Sequence, residues 1–185
     1  MGQPTFPSPA LLITAAFSRY DDALAWAKQK LAAEWGTIAL ESPAFDFRET
    51  DYYEPTMGPG IKKTFWAFER PFDAADLVDF KLAANRFEEE CAAEAKLPEP
   101  RPLNIDPGYL TLGKLVLAST KDFAHRIYLN RGIYAEVTLF YKHRRWQHHE
   151  CTFADYRRED YQRFFSQCRE MLHWRLRGER MGDTG

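Results

Sequence analysis

NIDPGYLTLGKLVLASTKDFAHRIYLNRGIYAEVTLFY, residues 104–141, is the stretch whose reading decides the fold. It is mostly apolar and rich in strand formers, so it belongs to the core sheet. Asp106, Lys114, Lys121, Asp122, His125, Arg126, Tyr128, Tyr134 and Glu136 are nevertheless threaded through it. Burying an unpaired charge costs on the order of several kcal/mol. These groups therefore satisfy one another or face a ligand.

Two readings of its first part are open. Asp106 and Pro107 can open a helix through Leu117 as N-cap and N1 residue, or GYLTLGKLVLAS can be one strand kinked at Gly113. We favour the strand, because the run ends in Ser-Thr-Lys-Asp and leads straight into another. Asn130-Arg131-Gly132 reads as a three-residue hairpin loop, with glycine in the left-handed position. In that hairpin, over about 124–142, Leu129 faces Ile133, Tyr128 faces Tyr134, Ile127 faces Ala135 and Arg126 faces Glu136. Ile127, Leu129, Ile133, Ala135, Val137 and Leu139 are then expected in the core. Arg126, Tyr128, Tyr134, Glu136 and Thr138 form the other face.

Working outward, LLITAAF (11–17) suits a buried strand, and Ser18 or Asp21 caps the helix that follows. Leu24, Ala27, Lys28, Leu31 and Trp35 lie at helical spacing, and Gly36 ends the helix. TIALES (37–42) and KKTFWAFERPF (62–72) read as strands. Asp73 caps a second helix over 74–95, striped by Leu77, Phe80, Leu82, Ala84 and Phe87. The order β-α-β-β-α-β is the ferredoxin-like plan. The expected fold is therefore α+β: a ferredoxin-like core carrying an added C-terminal β-hairpin and a helix from Asp160 to about Arg177. One domain over 1–185 is expected, with 1–9 and 178–185 as flexible tails.

Composition narrows the function classes. Of the 185 residues, 45% are hydrophobic and 15% aromatic, which argues against disorder. A net charge of -2 gives no global field toward nucleic acid or anionic membrane. No apolar run approaches the roughly 18 residues needed to span a bilayer, and MGQPTFPSPALLITAAF lacks the basic start of a secretory signal. The three cysteines, Cys91, Cys151 and Cys168, have no CxxC spacing, so no disulfide framework or zinc site follows and a reducing cytoplasm is expected.

Several groups could carry chemistry. Lys121, His125 and Arg126 gather at a strand end, where they can hold an anion and where His125 can act as acid or base. The plainer account packs His125 in the core beside Ile127. Arg126 with Tyr128 and Tyr134 suits a phosphate or carboxylate; the plainer account is an exposed cross-strand pair of Arg126 with Glu136. Asp106 is a candidate base, or simply a turn residue bonded to nearby amides. The long loop 43–60 holds Asp46, Glu49, Asp51, Tyr52, Tyr53 and Glu54, and either closes as a lid or packs aromatics on a sheet edge. His143, His148, His149 and Cys151 match no zinc spacing. There is no GxxxxGK[ST], no GxGxxG after a strand and no GxSxG. The arginines between Arg144 and Arg180 interleave with acids, which favours a solvated helix face over an RNA-contact surface.

NIDPGYL, KLVLAST-KD, HRIYL and GIYAEVTL, with TDYYEPTMGPGIKK before them and DYRREDY after, resemble a bacterial family known as domain of unknown function forty-four sixteen. The resemblance runs from about residue 11 to 175. It implies a single-domain bacterial cytoplasmic protein and carries no activity, cofactor or site residue with it. The HHEC turn and the arginine-rich end depart from the family pattern.

The reading that follows is a site for a small phosphate- or carboxylate-bearing ligand beneath the 43–60 loop. Lys121, His125, Arg126 and Lys114 would meet the anion, Tyr52, Tyr53, Tyr128 and Tyr134 would line the site, and Asp106 or Glu136 would be its carboxylate. His125, Asp106 and Glu136 are the candidate catalytic groups; no metal or cofactor is indicated. The alternative is an interaction module that pairs as a homodimer through exposed aromatics, with RNA binding third. No membrane partner is expected.

Overall fold

A computed structural model describes residues 2–178. The run Ala10–Ser18 is buried along its whole length and forms β1, near the middle of a nine-stranded sheet. The other strands are Ile38–Glu41 (β2), Phe45–Asp46 (β3), Lys62–Phe72 (β4), Asn104–Leu110 (β5), Lys114–Ser119 (β6), Ile127–Asn130 (β7), Ile133–Lys142 (β8) and Arg145–His148 (β9). The order is β2-β4-β1-β5-β6-β8-β7, with β3 added to β4 and β9 to β8. All pairings are antiparallel. The helices are Asp21–Trp35 (α1), Glu54–Met57 (α2), Leu77–Ala95 (α3) and Glu159–Leu176 (α4). The fold is α+β.

Both faces of the sheet are covered, which explains why its central strands read as continuous apolar runs. Leu12, Ala16, Trp66, Phe68 and Val116 pack with Leu24, Leu31, Trp35, Leu77 and Phe87 of α1 and α3. Leu11, Ile13, Phe65, Leu115 and Leu139 pack with Tyr161, Phe164, Phe165 and Leu172 of α4. Neither Ser18 nor Asp21 caps α1: Ser18 Oγ accepts from Tyr20 N at 2.9 Å and donates to Pro102 O at 2.5 Å. Asp73 accepts from Ala75 N at 2.9 Å and opens a 3-10 turn, Ala74–Asp76, ahead of α3.

Three expectations change. The stretch read as one strand kinked at Gly113 is a hairpin of β5 and β6. Thr111 Oγ1 accepts from the amides of Gly113 and Lys114, each at 3.2 Å, and so builds the turn. The 43–60 segment is not wholly irregular, since it holds β3 and α2. The hairpin of β7 and β8 pairs Ile127 with Ala135 and Tyr128 with Tyr134 as expected, but Asn130, not Leu129, pairs with Ile133, so the turn is the two residues Arg131 and Gly132 rather than three. Of its apolar face, Ile133 and Leu139 are buried in the core as expected and Ala135 packs against it, whereas the rest is not. Ile127, Leu129 and Val137 are 71%, 40% and 40% exposed, whereas Glu136 and Thr138 are buried.

Two causes explain this. β7 is an edge strand with a neighbour on one side only. In addition, a bulge lets Leu115 pair with Leu139 but Val116 with Val137, so parity breaks at Thr138. Of the two tails, residues 2–9 are exposed and lack regular structure, and 179–185 lie outside the described residues. Among the described residues, no helix is long and apolar enough to cross a membrane.

Candidate functional site

β5 pairs with β1 from Asn104 to Leu110, but with β6 only from Gly108 to Leu110. Past that point Ala118 and Ser119 of β6 pair with β8 alone. The sheet therefore splits between Asn104–Pro107 and Ala118–Ser119. Pro107 has no N–H to give a ladder and stands where the pairing stops. Gly108, at the last shared rung, admits the close approach of β6: a Cβ there would lie 2.3 Å from Val116 O. The NIDPG sequence thus both starts β5 and releases it from β6.

A cleft of about 730 Å³ opens at the split, the size of a small-ligand site. Its deep wall is charged. Lys63 of β4 donates to Asp155 Oδ2 at 2.6 Å, with both side chains at most 5% exposed. Phe17, Phe47, Phe65, Tyr156 and Tyr161 place their rings 4.4–5.9 Å from its ammonium. Lys81 of α3 donates to Asp106 Oδ1 at 2.9 Å and to Ile105 O at 3.0 Å. Arg126 donates to Glu136 Oε2 at 2.7 Å, Ser119 Oγ at 2.8 Å and Lys121 O at 2.9 Å. The Arg126 and Glu136 side chains are 4% and 3% exposed. Three buried or half-buried ion pairs from separate elements therefore meet in one cavity.

Those neighbours set the acidities. Burial pushes the Asp106 carboxyl up, but the charge and hydrogen bond of Lys81, with Lys63 and Arg101, outweigh it and hold Asp106 below the usual carboxylate range. Glu88, which accepts from Ile105 N at 2.8 Å and from Arg101 at 3.0 Å, goes the other way. Its burial outweighs Lys81 and Arg101 and raises it. Burial likewise raises Tyr53 and Tyr156.

The rim is different. Tyr52 of the 43–60 segment accepts from Lys121 Nζ at 2.6 Å, and the ammonium stands 4.3 Å from the Tyr52 ring centroid. This hydrogen bond and the lysine charge lower the Tyr52 phenol. Phe123 and Phe153 flank Arg126, their centroids 5.1 and 5.7 Å from its guanidinium carbon.

Of the residues singled out from sequence, Asp106, Lys121, Arg126, Glu136, Glu49, Tyr52 and Tyr53 line this cleft. His125 stands behind it: its Nε2 lies 3.3 Å from Glu136 Oε2, and its side chain is 28% exposed. It does not pack in the core beside Ile127, which is itself exposed. Asp106 bonds to Lys81 and to Asn104 Nδ2, at 2.8 Å, rather than to turn amides. The Arg126–Glu136 pair is buried, not a surface cross-strand pair. Tyr128 and Tyr134 pack on each other at 5.3 Å on the β7 edge, and Lys114 is exposed at the far end of β6. None of these three lines the cleft.

Lys63, Lys81, Arg101, Asn104, Phe153 and Asp155 are cleft residues that sequence reasoning missed. Lys81 did leave a signal, since it falls on the buried stripe of α3 with Leu77 and Ala84. Asp155 left none; a tertiary approach alone brings it to β4. The C-terminal arginines serve as staples: Arg158 holds Glu49 and Asp160, and Arg169 donates to Leu112 O at 2.7 Å. Among the described residues, no group of three or more His, Cys, Asp or Glu is placed to hold a metal ion.

A family model described as Domain of unknown function (DUF4416) matches residues 8–172. No curated protein and no solved structure matches the chain.

Proposed function

The chain belongs to that family, and we propose that its cleft binds a small anionic molecule bearing a phosphate or carboxylate. One observation carries this. Lys63, Lys81, Arg101 and Arg126 each have a carboxylate partner, whereas Lys121, among the described residues, meets only the neutral Tyr52 hydroxyl. A cation with unspent charge at the mouth of a cavity whose deep cations are already paired selects an anion; the exposed carboxylate of Glu89 on the same lining opposes it. The hydroxyls of Ser119, Thr120 and Tyr52 stand beside Lys121 on the same lining. His125 stands behind the cleft, its Nε2 3.3 Å from Glu136 Oε2, and does not line it; we assign binding and no reaction. Two finer readings accompany this one. The order β2-β4-β1-β5 supports a ferredoxin-like core, and three unpaired thiols support a cytoplasmic location.

A thermal-shift screen with inorganic phosphate, sugar phosphates, nucleotides and dicarboxylates tests the reading. A ligand at 100 times its Kd adds about 2.7 kcal/mol, a shift of several degrees for a chain of this size. Lys121→Met should abolish the shift and leave the unliganded Tm unchanged. A full panel without a shift, or an undiminished shift in the variant, overturns the reading.

A second reading, self-association, has its own support. Edge strand β7 leaves Ile127, Tyr128 and Leu129 exposed with one row of backbone groups unpaired. Light scattering would show a dimer that Ile127→Lys converts to monomer; a monomer throughout removes this reading.

A further inference from the structure

Among the described residues, six aromatic side chains are exposed, and three of them, Tyr52, Phe123 and Phe153, line this one cleft. They are 62%, 57% and 44% exposed. Each comes from a different segment: the 43–60 region, the β6–β7 connection and the β9–α4 connection. Phenylalanine is ordinarily buried, so two of them half in water on one rim need a reason. Arg126, whose guanidinium lies between the two rings and whose charge is already spent on Glu136, His125 at 6.0 Å from Phe123 and Tyr156 at 6.4 Å from Phe153 account for only part of each ring. The rest of each ring is open.

These rings border a concavity of about 730 Å³, which suits a molecule smaller than a peptide domain. Lys121, with its uncompensated charge, lies two residues from Phe123 and against Tyr52. Anion contact and stacking surface thus share one rim.

We propose that the ligand of this cleft carries a planar ring as well as its anionic group, the ring stacking on Phe123 and Phe153 while the anion meets Lys121. Nucleoside monophosphates and aromatic carboxylates are the two chemical sources of that combination. The inference rests on the anion-binding reading and goes further by requiring the ring.

Isothermal titration calorimetry on the full chain separates the two. The panel is inorganic phosphate, ribose 5-phosphate, four nucleoside monophosphates, benzoate and nicotinate. At least one ring-bearing member should bind roughly tenfold or more tightly than ribose 5-phosphate or inorganic phosphate. In Phe123→Leu and in Phe153→Leu that preference should collapse toward unity, with ribose 5-phosphate affinity unchanged. Both residues are exposed, so circular dichroism should show the variants folded. Whether a nucleotide or an aromatic carboxylate gains decides the source. If anions bind with no preference for a ring, or the preference survives both substitutions, the ring inference fails and anion binding stands. If no anion binds, both fail.

Discussion

Two positions on β4 face the same side of the sheet two residues apart and are equally buried. Phe65 is 0% exposed and Lys63 is 3%. Phe65 meets the rings of Tyr161 at 4.7 Å, Phe165 at 5.1 Å, Tyr156 at 5.8 Å and Phe164 at 5.9 Å. Lys63 meets Asp155, then an aromatic wall. The first arrangement stabilises through apolar area and packing. The second sets a large desolvation cost against a Coulombic gain, and such pairs roughly break even. Stability explains Phe65 but does not explain Lys63. The contrast marks where packing ends and the cleft begins.

The largest effects should fall on both sides of this contrast and differ in kind. Phe165→Ala should cost about 3–5 kcal/mol in denaturant unfolding and leave ligand response per folded molecule intact. Asp155→Leu should cost about as much, because it strands a buried ammonium. The double variant Lys63→Met with Asp155→Leu should recover most of that loss, or exceed the parent, since apolar pairs often replace buried ion pairs without cost. A double variant as unstable as Asp155→Leu alone would show the pair to be structural, and the contrast would break.

The same contrast decides what could be read in advance. β1, β4, α1 and α3 carry strong periodicity, because burial on two faces or along one stripe writes itself into residue order. The cleft was partly legible, since Asp106, Lys121, Arg126 and Glu136 are charges inside an otherwise apolar stretch. Lys63 and Asp155 were not, because they are 92 residues apart and meet only through the docking of the segment before α4. On β8 the core positions Ile133 and Leu139 were legible, but Val137 and Thr138 were misread for a local reason: one bulge at Thr138 inverts the parity that alternation assumes. Edge placement of β7 was equally invisible, since strand order is a tertiary property. Ile127 looks like core in any window of sequence and is 71% exposed in the fold.

A middle-sized effect should appear in the pH dependence. Asp106 and Glu88 both face the cleft and share Lys81 and Arg101 as neighbours, yet move in opposite directions. Asp106 is held below its ordinary 3.8. Its contribution to stability is therefore complete above that value and lost as pH falls through the depressed one. Glu88 is raised above its ordinary 4.5. It favours the folded state below that value, and this is lost as pH rises through the raised one. Carboxyl-carbon NMR titration should place the two on opposite sides of their ordinary values. Lys81→Met should move Asp106 upward, because burial then meets less opposition. An Asp106 that titrates unchanged in that variant would show the ion pair to be weaker than its 2.9 Å geometry implies.

The smallest effect lies at the rim, where charge is not yet spent. Tyr52 is exposed, so neither its truncation nor that of Lys121 should move Tm, unlike any floor residue. What should move is the phenol. In the parent protein Lys121 holds Tyr52 below the ordinary 10.0 through its hydrogen bond and charge. Ultraviolet difference titration should show one tyrosine ionising early, and Lys121→Met should return it toward 10.0. An anion that docks on Lys121 competes for the same ammonium. Adding inorganic phosphate should therefore raise the early phenol in the parent and do nothing in Lys121→Met. A parent titration indifferent to phosphate would mean that this lysine is as fully engaged as those of the floor, and the rim would lose its distinction from it.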